Sequence, residues 1–290
     1  MSSFFFFVQL LNAVQYGLIL YLIASGLTLL LGIMGVINLA HGVFYMVGAY
    51  VAFAVVEQFG SFWLSLPVGI VLGIAFGALV ERFLLSRVDA ADHLSQVLLS
   101  FGLILLLNEG QRIVFGGDAH AVPMPRGLDF SIPLSDTLAY PVYRIFICAI
   151  GVAFVIGVHL LMTRTRLGMM LRAGAENREM ARALGVDVKL IYLVVTATGI
   201  ACAVVAGVIA APLASVYPGM GDQILILSFV IIVLGGMGSI YGALAGALLL
   251  GLVDSFGKQF FPNYASFVVY VAMIAVLIVR PQGLIRGAGA

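Results

Sequence analysis

Charge is what this chain has least of. Asp, Glu, Lys and Arg make up 9% of its 290 residues, against roughly 25% in an ordinary soluble domain, which excludes a soluble globular enzyme. No such residue occurs between Gln9 and Val56, and the first basic residue anywhere is Arg82. A cleaved secretory signal begins with a basic leader, so Met1–Phe7 is expected to open a mature membrane protein. With 14 basic against 13 acidic residues, the net charge of +1 leaves no surplus to attract nucleic acid or another polyanion. The two cysteines, Cys148 and Cys202, lie in apolar runs with no CxxC spacing, so neither a disulfide framework nor a metal site is expected. The phosphate-binding pattern GxxxxGK[ST] is absent, since the only lysines are Val188-Lys189 and Lys258-Gln259. No HExxH or Ser/His/Asp arrangement appears either, and His41, His93, His120 and His159 share no ligand spacing. The chain is therefore expected to be no enzyme.

What is abundant is apolar length. Hydrophobic residues make up 63% of the chain and the mean hydropathy is +1.17. At about 20 apolar residues per crossing there is room for roughly eight or nine helices, some broken or re-entrant. The runs are continuous rather than alternating, so the backbone must satisfy itself as helices and not as a barrel. The expectation is an all-α, multi-pass protein with one transmembrane domain over residues 1–290 and the lipid bilayer as its surroundings.

The predicted spans are Leu10–Leu31, Leu64–Leu85, Leu94–Val114, Tyr143–Met162, Leu190–Pro212 and Tyr264–Val279. Two further stretches are interrupted, one at Gly32-Ile33-Met34-Gly35 and Asn38-Leu39-Ala40-His41-Gly42, the other, Ile224–Phe256, at Gly235-Gly236-Met237-Gly238-Ser239. Residues 163–189 hold six of the 14 basic residues, which places that loop in the cytoplasm with Arg82 and Arg87 near Asp89 and Asp92. Residues 115–141, rich in Gly and Pro and carrying Asp118, Asp129 and Asp136, form an external polar loop. Gly32, Met34, Gly35, Ile37 and Gly48 recur as Gly235, Met237, Gly238, Ile240 and Gly251 at one constant offset. Both copies fall where a helix is interrupted, the pattern of a duplicated transporter with pseudo-symmetric halves, although Gly and Ile are common enough here to coincide by chance.

Three groups of residues invite a role. Within the cytoplasmic loop, Ala175–Gly185 has the grammar of a short helix, with a polar start, an Ala-rich body and a Gly stop. Met180 and Leu184 share one face and Arg178 and Arg182 another, which suits either a helix seated in a partner's groove or one lying on the bilayer. Asn38, His41 and Gly42 at the first break either cap the freed helix end or face a path. Gly235, Gly236, Met237, Gly238 and Ser239 either allow close packing or line that path, with Met34 and Met220 offering an adaptable apolar lining. Glu81, Glu109 and Asp254 are expected to pair with neighbouring Arg82, Arg112 and Lys258 as interfacial anchors. Outside, Glu57, Asp118 and Arg126 are candidates for docking a partner through charge, or else belong to a solvated surface.

Several stretches together resemble a known family. Glu179-Met180-Ala181 followed by Gly185 is similar to the EAA-x-x-x-G loop of bacterial ABC-importer permeases, with Met in place of the first Ala. Gly26-Leu27-Thr28, Gly35 to Gly42, Met46 to Tyr50, Leu234 to Ile240 and Arg280-Pro281-Gln282-Gly283-Leu284 resemble the signature stretches of the branched-chain amino acid permease subunits, in order along nearly the whole chain. The resemblance implies a permease half in a bacterial inner membrane, working with a second related permease, two ATPase subunits and a periplasmic solute-binding protein. It implies that ATP and Mg are bound by the partner ATPases and no cofactor by this chain. It further implies that Arg178, Glu179, Met180, Ala181, Arg182, Leu184 and Gly185 form the coupling helix. The same segments occur in urea, amide and aromatic-acid importers, so the solute stays open, and a stand-alone channel or ion-coupled carrier is the alternative class.

Overall fold

A computed structural model describes residues 3–88, 92–135 and 138–285; Asp89 and Asp136 lie outside them. The chain runs through α1 (Ser3–Leu29), a π-helical turn (Leu30–Met34), α2 (His41–Phe59), α3 (Phe62–Phe83) and α4 (His93–Phe115). A hairpin, β1 (Ser131–Ser135) and β2 (Leu138–Pro141), precedes α5 (Val142–Arg164), α6 (Arg166–Glu176), α7 (Arg178–Ala183) and α8 (Val188–Ala210). The last elements are α9 (Met220–Gly235), α10 (Ile240–Phe260) and α11 (Ala265–Val279). Seven of the helices are long and apolar enough to cross a membrane, and α9 and most of α11 (Phe267–Val279) are shorter apolar helices. The protein is thus a multi-pass helical membrane protein of the expected class.

Burial sorts helices that look alike in sequence. The apolar stretch of α1 is 83% buried and that of α8 72%, whereas those of α4 and α5 are 17% and 11% buried. The first two form the centre of the bundle, and the last two present their sides to lipid or to a partner. The central helices meet through small residues, because in lipid helices gain by close backbone approach rather than by escape from water. Gly26 of α1 lies on Gly199 of α8, and Gly73 and Gly77 of α3 lie on Ala201 and Ala197. At Gly48 of α2 a methyl group would stand 1.9 Å from the carbonyl oxygen of Val204, so no side chain fits there.

The two ends differ in charge. Arg82, Arg87, Arg164, Arg166, Arg172, Arg182 and Lys189 gather at one end, on the last turns of α3 and α5, the 3-10 turn after α3, the short α6 and α7, and the start of α8. Asp92 caps α4 at this end, and the Ser95 hydroxyl and amide hold its carboxyl below the usual carboxylate range. At the opposite end His120 and Val216 pair in an antiparallel bridge, tying the loop after α4 to the turn after α8. Tyr143 donates to the Ile209 carbonyl there at 2.7 Å.

Two elements depart from the expectation. The polar loop over residues 115–141 contains a short hairpin: β1 and β2 pair antiparallel, with Ser131 opposite Pro141 and Ile132 opposite Tyr140. Pro133 and Pro141 suggested a loop, yet proline is tolerated at edges and strand ends, which are all a two-stranded hairpin has. In the basic loop over residues 163–189 a separate helix, α6, comes before the expected one. Its basic residues hid it, but Thr165 Oγ1 caps it on the Gly168 amide at 3.1 Å and its Leu171 is buried.

Candidate functional site

The first break is built to satisfy the backbone it frees. The π-helical turn ends at Gly35, whose φ of 63° is a left-handed conformation that glycine adopts without strain. Residues 36–39 then run without helical bonds through the protein interior, where irregular backbone is tolerated only if protein groups replace water. Gln96 Oε1 accepts from the Ile37 amide at 3.1 Å, and Asn38 Oδ1 accepts from the Ala40 amide at 3.0 Å. His41, fully buried at the first position of α2, places Nε2 2.9 Å from the Ile23 carbonyl in the middle of α1. The Asn38 bond thus stays within the break and His41 ties the start of α2 to α1, while no side chain caps α2 itself. Asn38 Nδ2 and His41 Nδ1 are buried without a hydrogen-bond partner among the described residues. Gly42 presses on Gly221 at the start of α9, where a methyl group would meet the Gly221 carbonyl oxygen at 2.2 Å.

The second break mirrors the first. Gly238, the offset counterpart of Gly35, has a φ of 79°, so the two copies share a backbone conformation as well as a residue type. Ser239 Oγ caps α10 on the Gly242 amide at 3.0 Å. The carbonyls left open by the end of α9 are taken by the segment after α11, with Leu284 N donating to Leu234 O at 2.8 Å and Ile285 N to Gly235 O at 3.0 Å. Gly235 and Gly242 lie back to back, and Gly236 faces the Ile285 carbonyl. Close packing accounts for these glycines. The breaks touch each other at Gly32 and Gly238. Met237 is 73% exposed while Met34 and Met220 are buried, so the three methionines do not form the shared lining considered above.

At the basic end α7 is shorter than the predicted helix. Asn177 is extended and its Oδ1 accepts from the Met180 amide at 2.9 Å, so the helix starts at Arg178 instead of Ala175. It ends before Gly185, whose φ is 85°. Ala181 is buried against the protein, whereas Met180 and Leu184 are 58% and 77% exposed. Glu179 and Arg182 are exposed as well. An apolar pair held outward by a capped turn is left mostly uncovered by the described residues. Glu57, Asp118 and Arg126 are all exposed on segments at or near the opposite end.

The acids behave unequally. Asp254 pairs with Lys258 at 2.7 Å, four residues on, and Glu109 lies 3.9 Å from Arg112, three residues on. Glu81 does not pair with Arg82. Adjacent residues on a helix point about 100° apart and cannot face one another. Glu81 instead turns inward, 5% exposed, and accepts from Thr196 Oγ1 of α8 at 2.8 Å. The missed signal was that spacing.

The sequence profile of the "branched-chain amino acid transport system / permease component" family matches residues 9–277. The chain is 32% identical to the high-affinity branched-chain amino acid transport system permease protein BraD of Pseudomonas aeruginosa, over 96% of this chain and 94% of that one. It is 29% identical to the permease protein LivH of Escherichia coli K12, over 97% and 96% of the two chains. A second permease protein from the same organism, LivM, is 29% identical over 92% of this chain and 68% of its own. No solved structure matches. With a profile covering nearly all of its length on a fold of broken membrane helices, the chain belongs to the branched-chain amino acid transport permease family.

Proposed function

We propose that the chain is one permease subunit of an ATP-driven importer for leucine, isoleucine and valine in a bacterial inner membrane. It pairs there with a second, related permease, as the similarity to both LivH and LivM suggests. Two ATPase subunits bind ATP and Mg at the cytoplasmic face, and a periplasmic solute-binding protein docks on the face carrying Glu57, Asp118 and Arg126. The observation that carries this reading is the exposed pair Met180 and Leu184 on the capped turn α7. Exposed apolar side chains between charged residues suit a groove in a partner. Seated there, α7 would hand the closure of an ATPase dimer to α8 and α6, which flank it, as a rigid-body movement. The meeting breaks around Asn38, His41, Gly42 and Gly235 to Ser239 would be the elbow about which the two interrupted halves move.

The test is co-purification from mild detergent with mass spectrometry of what comes along, for the unchanged chain and for Met180→Asp with Leu184→Asp. ATPases and a second permease should accompany the first, and the ATPases should be lost from the second. A chain that purifies alone and still takes up leucine in liposomes would overturn the reading.

A further inference from the structure

Glu81 lies in the last turn of α3 at the basic end, and neither ion pair found among the described residues includes it. Its hydrogen-bond partner is neutral: the Thr196 hydroxyl, which also sits 3.5 Å from Met34 Sδ beside the first break. A carboxyl group taken from water without a cation is costly, and an acid inside a membrane segment marks a pathway more often than a scaffold.

Glu81 borders a cavity of about 730 Å³ between the ends of α3 and α8, within the roughly 300–1,000 Å³ usual for small-molecule sites. Arg82 and Lys189 border the same cavity and are exposed, so it reaches the surface. Met34, Leu85 and Leu193 supply an aliphatic wall. One inward acid, two cations at the rim and an aliphatic side together are the complement of an α-amino acid with a branched hydrocarbon side chain. A phosphate headgroup would suit the two cations, but Glu81 would repel it.

We propose that this cavity is a cytoplasmic-side subsite for a zwitterionic aliphatic amino acid. Glu81 faces its ammonium group, and Lys189 with Arg82 its carboxylate. The proposal rests on the importer reading above and adds to it a place where the solute pauses before release. Lys189 is in the first turn of α8, just after α7, so a movement of α7 reaches the wall of this subsite.

Ser86, exposed at the rim, is the reporter. Inverted membrane vesicles from cells making the full chain with its partner subunits are treated with a membrane-impermeant maleimide, and labelling of Ser86→Cys is timed above that of the chain lacking this change. Leucine should slow labelling several-fold. N-acetyl-leucine, which lacks the ammonium, and isoamylamine, which lacks the carboxylate, should protect far less. Glu81→Gln keeps an acceptor for Thr196, so it should label at the same rate without leucine and lose the leucine protection. A purely structural Glu81 would instead change the leucine-free rate. The proposal is overturned if leucine does not protect, if it protects Glu81→Gln equally, or if inorganic phosphate protects as well as leucine. Leucine uptake by whole cells separates the two levels: uptake without protection removes the subsite alone, and no uptake by the unchanged chain removes the importer reading.

Discussion

Gly32 and Gly238 touch: a methyl group on Gly32 would stand 2.7 Å from the Cα of Gly238. The two interrupted helices, far apart in the chain, therefore meet at their breaks. Neither glycine can grow without pushing the breaks apart.

Gly32→Ala should lower the thermal midpoint of the purified protein, with a cost of about 1–3 kcal/mol expected for overpacking a tight contact, and should reduce uptake. Gly238→Ala should do more, since its φ of 79° adds backbone strain. Gly102, with no atom within 4 Å of an added methyl, is the control and should tolerate Ala. Thermal unfolding in detergent, followed by circular dichroism, checks the order of the three.

Met180→Asp combined with Leu184→Asp should leave insertion and the thermal midpoint unchanged, because both side chains are exposed. Uptake and solute-stimulated ATP hydrolysis should fall to background. A loss of membrane-inserted protein would mean that the pair supports folding and not partner contact.

His41→Ala removes the side chain that meets the Ile23 carbonyl. Losing this one buried hydrogen bond, while the carbonyl keeps its bond within α1, costs about 0.5–1.5 kcal/mol. The expected result is slower uptake of leucine, isoleucine and valine alike. A reversal of preference among the three would show that His41 selects the solute instead of only tying α2 to α1.

Truncation after Gln282 removes the amides that reach Leu234 O and Gly235 O. Two buried acceptors are then left open at about 1–3 kcal/mol each, and the amides at the end of α9 should exchange with deuterium faster than those of α8. Equal exchange in the truncated and full chains would mean that the C-terminal segment contributes nothing to the second break.

Much was legible from residue order alone. A hydrocarbon core needs about 20 apolar residues per crossing and excludes unpaired charge. The membrane class and the approximate spans therefore follow from local composition. Glycine and polar side chains mark broken helices wherever they stand, so Gly35, Asn38 and Gly238 located both breaks, and Met180 and Gly185 located α7 apart from its start.

What the sequence hid has one physical cause. In a membrane the lipid side and the packed side of a helix are both apolar, so the periodicity that separates core from surface in a soluble protein is largely lost. Mean hydropathy does not separate buried α1 and α8 from exposed α5. For the same reason the inward turn of Glu81 toward Thr196, 115 positions away, the meeting of Gly32 with Gly238, and the return of Leu284 to Leu234 could not be read along the chain. Residue order determined where helices start, break and cross, because those depend on neighbours in sequence. The tertiary structure alone decided which faces meet, because that depends on how closely backbones far apart in the chain can approach.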